Sequence, residues 1–352
     1  MKIFFRIMWG LAIVLYVLFF GEVFLRIFSP VPMLPRYVCA TDFGIRGNLP
    51  NASYWHTTAE YKINIRTNSK GIRSDREIPY EKPAGVKRIV VLGDSFGMGY
   101  EVDLPDTFLF HMEQGLLHAG KKVEVVNLSV SGHGNAEELI MLQHEGIKYS
   151  PDLILLAWQE TDLEDNVRSD LFGIQSGKLV PRSKVYLPAV EVREKLDKYP
   201  IYRWLESESN MYCWIRESAA KWTKNVLVAL KSKNFNKKKK VESAKTTAQN
   251  NYVPDLAFLL VSEIKTESLA MNANLLVLDI PQSHPTLGGI SLMPKAISDP
   301  QNGFHVVSVL PEFGKYHHER LYWDKSHWHF TPRANGIVGR ALARYILDHH
   351  LL

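Results

Sequence analysis

Apolar residues in this chain fall into three kinds of run. The first is a single long stretch at the N-terminus, "MKIFFRIMWGLAIVLYVLFFGEVFLRIF", uncharged from Ile7 to Gly21 and bordered by Lys2, Arg6, Glu22 and Arg26. A helix that crosses a bilayer needs about 20 mostly apolar residues, and this stretch supplies them if its charged ends snorkel. The residues that follow, "SPVPMLPRY", contain no small-residue cleavage site. Residues 1–28 are therefore expected to form one uncleaved membrane anchor. The basic residues Lys2 and Arg6 keep the N-terminus cytoplasmic and put the rest of the chain outside, in the periplasm if the source is bacterial.

The second kind is short and continuous: "RIVVLG" (88–93), "VEVVNLSV" (123–130), "PDLILLAW" (151–158) and "NLLVLDIP" (274–281). Runs of this length without alternation are expected for parallel strands covered on both faces. The third kind has helical spacing, as in "TFLFHMEQGLLHAG" (107–120) and "AEELIMLQHEGIKY" (136–149), and sits between those strands. A last helix is expected near 332–348, capped by Thr331 with Pro332 in its first turn. The strand–helix alternation predicts an α/β fold: a doubly wound three-layer sandwich with a mostly parallel central sheet over 85–352. Residues 29–84 read as a connector, with a β-hairpin expected within "YKINIRTNSKGIRSDREI" (61–78). Residues 163–250 interrupt the pattern as a polar insertion; "KSKNFNKKKK" (231–240) reads as a solvated loop, and the "ESAKTTAQNN" that closes the insertion as partly disordered.

Composition changes this picture little. Hydrophobic residues make up 46% of the 352 and charged residues 22%, ordinary values for a folded chain. Much of the formal charge of +5 comes from the one lysine run, so no nucleic-acid partner is expected. The two cysteines, Cys39 and Cys213, fit no metal or redox spacing; one disulfide is possible in an oxidising compartment.

The chemistry concentrates where the first core strand ends. "RIVVLGDSFGMGY" (88–100) runs from strand into a glycine-rich turn holding Asp94 and Ser95. In a doubly wound sheet, ligands gather at the carboxyl ends of the strands. A strand-to-helix turn capped by Asp94 or Ser95 would use the same residues structurally. A phosphate-binding loop would need a lysine that this turn lacks. The C-terminal "YWDKSHWHFTPRANGIVGRAL" (322–342) sets Asp324 ahead of His327 and His329, just before the last helix. A serine becomes a nucleophile when a histidine takes its proton and a carboxylate orients that histidine. "GDSFG" also satisfies the G-x-S-x-G elbow of α/β-hydrolases, but here only one core strand precedes Ser95, and Asp324 and His327 are too close together for that fold.

These segments resemble the SGNH (GDSL-type) hydrolase family over about 85–160 and 253–350. The family's first block is matched by "VLGDSFGMG", which implies Ser95 as nucleophile and its N–H as one oxyanion donor. The second is matched by "NLSVSGHGN" (127–135), which implies Gly132 as another donor. The third, usually G-x-N-D, reads here as "QETD": Asp162 matches, while Gln159 stands for the glycine and Thr161 for the asparagine that is the third donor. Thr161 is expected to be a weaker donor, with Gln159 or Asn166 as substitutes and Asp94 and Asp162 as support. The fifth block is D-x-x-H. Its spacing selects Asp324 with His327, and the helix-start register selects His329; the spacing is preferred here. His133, beside Gly132, is either an exposed loop residue or part of the cleft wall.

The resemblance implies a serine esterase that needs no metal or organic cofactor. It also implies a substrate carrying acyl, most simply acetyl, groups on a cell-envelope glycan or lipid, with a membrane acyltransferase as a possible partner. An O-acyltransferase with the same residues, and a non-catalytic envelope assembly or glycan-binding protein that keeps the fold, are the alternatives.

Overall fold

The computed structural model describes residues 2–242 and 252–352 of the chain. The first helix, α1 (Lys2–Phe28), has no fully buried residue and touches the rest of the protein only near its C-terminal end. It is long and apolar enough to cross a membrane.

The connector is more structured than its composition suggests. β1 (Val38–Ala40) pairs with β2 (Arg46–Asn48), and β3 (Ser53–Thr57) with β4 (Lys62–Arg66), both antiparallel. The hairpin therefore lies upstream of its expected place. β4 is the limb that the alternation revealed, and its partner β3 comes from the Asn- and aromatic-rich stretch before it. "NSKG" does turn, with the Gly71 N–H donating to the Asn68 carbonyl at 3.0 Å, but beyond β4 and into a loop.

The central sheet joins β5 (Lys87–Gly93), β6 (Val123–Asn127), β7 (Leu153–Trp158), β10 (Asn274–Asp279) and β11 (His305–Ser308), all parallel, in the order β6-β5-β7-β10-β11. The first four are the predicted strands. The order reverses at β5, whose neighbours are β6 and β7, and such a switch point opens a crevice at the carboxyl end of the strand. β5 ends at Gly93, one residue from Asp94.

Side chains alternate through the sheet and build two cores. Val90, Leu92, Ile154, Leu156 and Val277 face one way, against Leu139 and Leu142 of α4 (Asn135–His144) and Leu260 and Ile264 of α9 (Tyr252–Ala270). Ile89, Val91, Leu155 and Leu278 face the other way, against Phe108 and Met112 of α3 (Phe108–His118) and Val338 and Leu342 of α12 (Pro332–Asp348). This is the expected three-layer sandwich. Thr331 caps α12, its Oγ1 accepting from the Ala334 N–H, a contact worth roughly 1 kcal/mol in comparable helices.

The insertion is built of regular elements. After α5 (Thr161–Ser169) come a hairpin of β8 (Phe172–Gln175) and β9 (Lys178–Pro181), then α6 (Val190–Leu196), α7 (Pro200–Glu208) and α8 (Asn210–Glu242). The lysine run lies within α8 and not in a loop. All but the first residue of "ESAKTTAQNN" lies outside the described residues. Two short helices, α10 (Lys295–Ser298) and α11 (Leu310–Lys315), flank β11. Cys39 and Cys213 are both free thiols.

Candidate functional site

Ser95 is the first residue of α2 (Ser95–Met98), directly after Asp94 at the end of β5. Asp94 is buried and caps the helix, its Oδ1 accepting from the Phe96 N–H at 2.8 Å. The capping role and the nucleophile position thus coexist in neighbouring residues. Gly97 lets the turn close on Ser129: a Cβ there would lie 2.4 Å from Ser129 Oγ and 3.0 Å from its Cβ, so that serine would have to move. Ser95 itself remains partly exposed.

His329 reaches Ser95. Its Nε2 lies 2.7 Å from Ser95 Oγ, and its Nδ1 lies 3.0 Å from Oε1 of Glu101. The second contact is short but imperfectly aligned, and becomes an ion pair when the ring takes a proton. Such contacts are often loose before substrate binds. Glu101 is fully buried, and its Oε1 also accepts from Ser326 Oγ at 2.7 Å and from the His327 N–H at 3.3 Å. Burial pushes the Glu101 carboxyl up, but the charge and hydrogen bond of His329, helped by Ser326 and His327, overcome this and hold it at about 2.

The structure corrects two expectations here. Asp324 does not meet a histidine; it is 59% exposed, with Arg320 Nε as its partner at 3.7 Å. His327 does not meet Ser95; its ring centre is 6.3 Å from that of His329, and burial, with the charge of His329 next, holds its imidazole down at about 4. The cause is the pairing of the loop. Tyr322 bridges Phe330, and the Trp323 N–H donates to the His329 carbonyl at 3.0 Å. This fixes His329 beside the start of α12, and the residues between bulge outward with Asp324 on the exposed side. The carboxylate that His329 meets is that of Glu101, six residues after Ser95, on the far side of α2. Nothing in a D-x-x-H pattern points to it.

The backbone at Glu101 is strained, with φ at +70°, in a region a glutamate seldom adopts. Arg73, in the "NSKGIRSD" turn, holds it there: Nη1 donates to the carbonyls of Met98, at 3.1 Å, and Gly99, and Nη2 to that of Val102, at 2.6 Å. The turn before β4 braces the histidine loop. Tyr61 Oη lies 3.1 Å from Ser326 Oγ, Glu60 Oε2 accepts from the Lys325 N–H at 3.0 Å, and Glu60 pairs with Arg320.

Gly132 adopts φ +79°, which a side chain would resist. Its carbonyl accepts from Arg46 Nη2 at 2.7 Å and Arg168 Nη2 at 3.3 Å, while its N–H has no partner among the described residues. His133 is neither exposed nor in a cleft wall; it is buried, with Nε2 3.0 Å from the Arg46 carbonyl. At the end of β7, Thr161 spends its hydroxyl on Gln159 Oε1 at 2.5 Å, and its N–H on the same atom at 2.8 Å. Its hydroxyl hydrogen is therefore turned away from the role expected of it. Gln159 Nε2 has no partner among the described residues. Asn166 is used up within the fold, accepting from the Ala136 N–H at 2.9 Å and donating to Asn135 Oδ1 at 3.2 Å. Asp162 is buried and supports this segment, its Oδ2 accepting from the Gln159 N–H at 3.1 Å and from Asn135 Nδ2 at 3.0 Å. Among the described residues, no cluster of His, Cys, Asp and Glu is arranged to hold a metal ion.

No protein-family model matches this chain, and no curated protein matches it significantly. Solved structures do resemble it at low identity. TesA is 14% identical with a TM-score of 0.42, over 76% of this chain and 100% of its own. The acetylxylan esterase Axe2 from Geobacillus stearothermophilus is 12% identical with a TM-score of 0.40, over 74% and 94%. The psychrotrophic esterase EstA from Pseudoalteromonas sp. is 14% identical with a TM-score of 0.38, over 75% and 98%.

Proposed function

We propose that this chain is a serine esterase acting through Ser95, His329 and Glu101. The observation that carries this is the 2.7 Å contact between His329 Nε2 and Ser95 Oγ at the switch point of the sheet. Ser95 Oγ attacks the ester carbonyl as His329 Nε2 takes its proton. Glu101 holds the imidazole in register and balances the charge that forms on it. The N–H groups of Ser95 and Gly132 receive the oxyanion, with the Gln159 amide in place of the usual asparagine. His329 returns the proton to the leaving alcohol. Water, or the hydroxyl of an acceptor, then resolves the acyl-enzyme.

The substrate we infer is an acyl ester, most simply an acetyl ester, on a cell-envelope glycan or lipid. Support comes from α1, which reads as a single anchor with Lys2 and Arg6 on the cytoplasmic side, so that the site faces outward. A fluorophosphonate probe tests the chemistry. The full chain should be labelled stoichiometrically at Ser95, His329→Ala should lose labelling, and His327→Ala should keep most of it. Equal labelling of both histidine variants would remove the proposed base.

A further inference from the structure

The anchor and α8 are locked together at one point. Glu22 Oε2 accepts from the Met211 N–H at 2.8 Å and Ser209 Oγ at 2.9 Å. Its Oε1 accepts from the Asn210 N–H at 3.1 Å and from Arg26 Nε at 2.7 Å. Asn210 Oδ1 accepts in return from the Val31 N–H at 2.8 Å, and Arg26 donates to the Glu208 carbonyl. The one carboxylate of α1 thus caps the start of α8, where free N–H groups and the helix dipole favour a negative charge. Glu22 is the first charge after the uncharged run Ile7–Gly21 and lies six residues, about 9 Å, before α1 ends at Phe28, in the outer turns where the anchor leaves the hydrocarbon. α8 therefore begins at the membrane–water boundary.

From there α8 cannot turn into the bilayer, because one side of it packs on the α/β domain. Cys213 is buried against α7, where Arg216 pairs with Glu206 at 3.0 Å, and further along Lys224 ties α8 to the α/β domain through Asp165 of α5 at 3.0 Å. At 100° per residue these side chains occupy one arc of the helix. The opposite side, centred on Ile215 (45%) and Trp222 (69%), is exposed and carries no charge, with Trp214 (50%) at one edge, Leu230 (53%) at the other, and the uncharged Ser218 and Asn225 within it. At 1.5 Å per residue this stripe is about 24 Å long. Tryptophan favours the boundary layer of a bilayer, where one edge is apolar and the other wet.

We propose that this face of α8 lies in the interfacial layer of the membrane, so that the catalytic domain is seated on the bilayer by two elements and does not swing from one. The proposal rests on reading α1 as a membrane anchor. The occupant of the face is lipid: the face is uncharged, and it continues from the level where α1 enters the hydrocarbon.

The test uses the full chain with Cys39→Ser, so that the buried Cys213 is the one native thiol remaining. A thiol-reactive NBD fluorophore is placed at Trp214→Cys or Trp222→Cys. Trp9→Cys in α1 and Leu117→Cys, an exposed site on α3 in the opposite layer, serve as references. The proteins are reconstituted in vesicles of phosphatidylcholine and phosphatidylglycerol that carry shallow nitroxide lipids. The expected result is at least twofold quenching by nitroxide lipid at 214 and 222, and none at 117. If iodide quenches 214 and 222 as freely as 117, while the Trp9→Cys probe is quenched by lipid, the face stands in water and the proposal fails with the anchor intact. Shielding of 214 and 222 from both quenchers would mean that protein covers the face, and would also overturn it. Access of iodide to the Trp9→Cys probe would remove the anchor, and the proposal with it.

Discussion

Glu101 and Asp324 make opposite cases for what a carboxylate needs in order to orient a histidine. Asp324 has the expected spacing but stands in water beside Arg320, where a charge contact is screened and worth little. Glu101 has no expected spacing, yet it is buried, accepts three hydrogen bonds or charge contacts at Oε1, and stays ionised down to about pH 2. A triad acid keeps the right tautomer and balances the imidazolium, and its neutral amide loses both functions. Glu101→Gln should therefore lower kcat on a small aryl acetate by roughly 10³–10⁴. Asp324→Asn should leave kcat within about twofold, as expected for an exposed pair. Steady-state kinetics of the two purified variants check this. A larger loss in Asp324→Asn than in Glu101→Gln would return the acid to the spacing-based assignment.

At the scale of elements, the sequence announced most of what periodicity can announce. Four of the five sheet strands, α3, α4 and α12 with its Thr331 cap stand where the hydrophobic pattern put them, because each buries a continuous stripe or face. β11 was missed because "HVVS" is a four-residue edge strand, too short to show a period. The hairpin partner β3 was hidden because its exposed face carries Trp55, which masks the alternation in a stretch dense with aromatics. Ser95 was legible from its strand end; His329 was offered by the helix start but passed over, because the D-x-x-H spacing favoured His327. Glu101 was not, because it depends on a turn shaped from outside by Arg73. That dependence makes Arg73 a positioning residue. Arg73→Met removes three carbonyl partners and frees Glu101 from its φ of +70°. It should lower kcat at least tenfold with little change in KM, while fluorophosphonate still reaches Ser95 slowly. Arg73→Lys should recover part of the rate. A fall in melting temperature with unchanged kcat would reduce Arg73 to a structural role.

At the scale of the molecule, the site stands on a layer of buried acids whose effect on stability runs against that of Glu101. Burial raises Asp94 to about 6, Glu137 to about 7 and Glu138 to about 8, and lifts Asp162 well above its usual range. Asn135 Nδ2 bridges Glu138 Oε2 at 2.9 Å and Asp162 Oδ2 at 3.0 Å, and the other oxygens of both acids are buried with no partner among the described residues. These groups bind protons more tightly folded than unfolded. Their stabilisation is complete below the ordinary carboxylate range and is lost as the pH rises through the folded values. Glu101 has the opposite sign: its folded value of about 2 adds stability above pH 4.5 that disappears as the pH falls towards 2. Burial also holds the imidazoles of His56, His133 and His327 below their usual range, which adds stability as the pH rises to about 6.5 and offsets the acids there; above it only the acids still titrate, so melting temperature should decline from about pH 6.5 to pH 8. Glu138→Gln keeps an acceptor for Asn135 and removes a charge that burial opposes. At pH 8 it should stabilise the chain by on the order of 1–3 kcal/mol, and at pH 5 by far less. Melting curves of the full chain in detergent at the two pH values decide this; equal shifts at both would show that Glu138 is not protonated in the folded state near neutral pH.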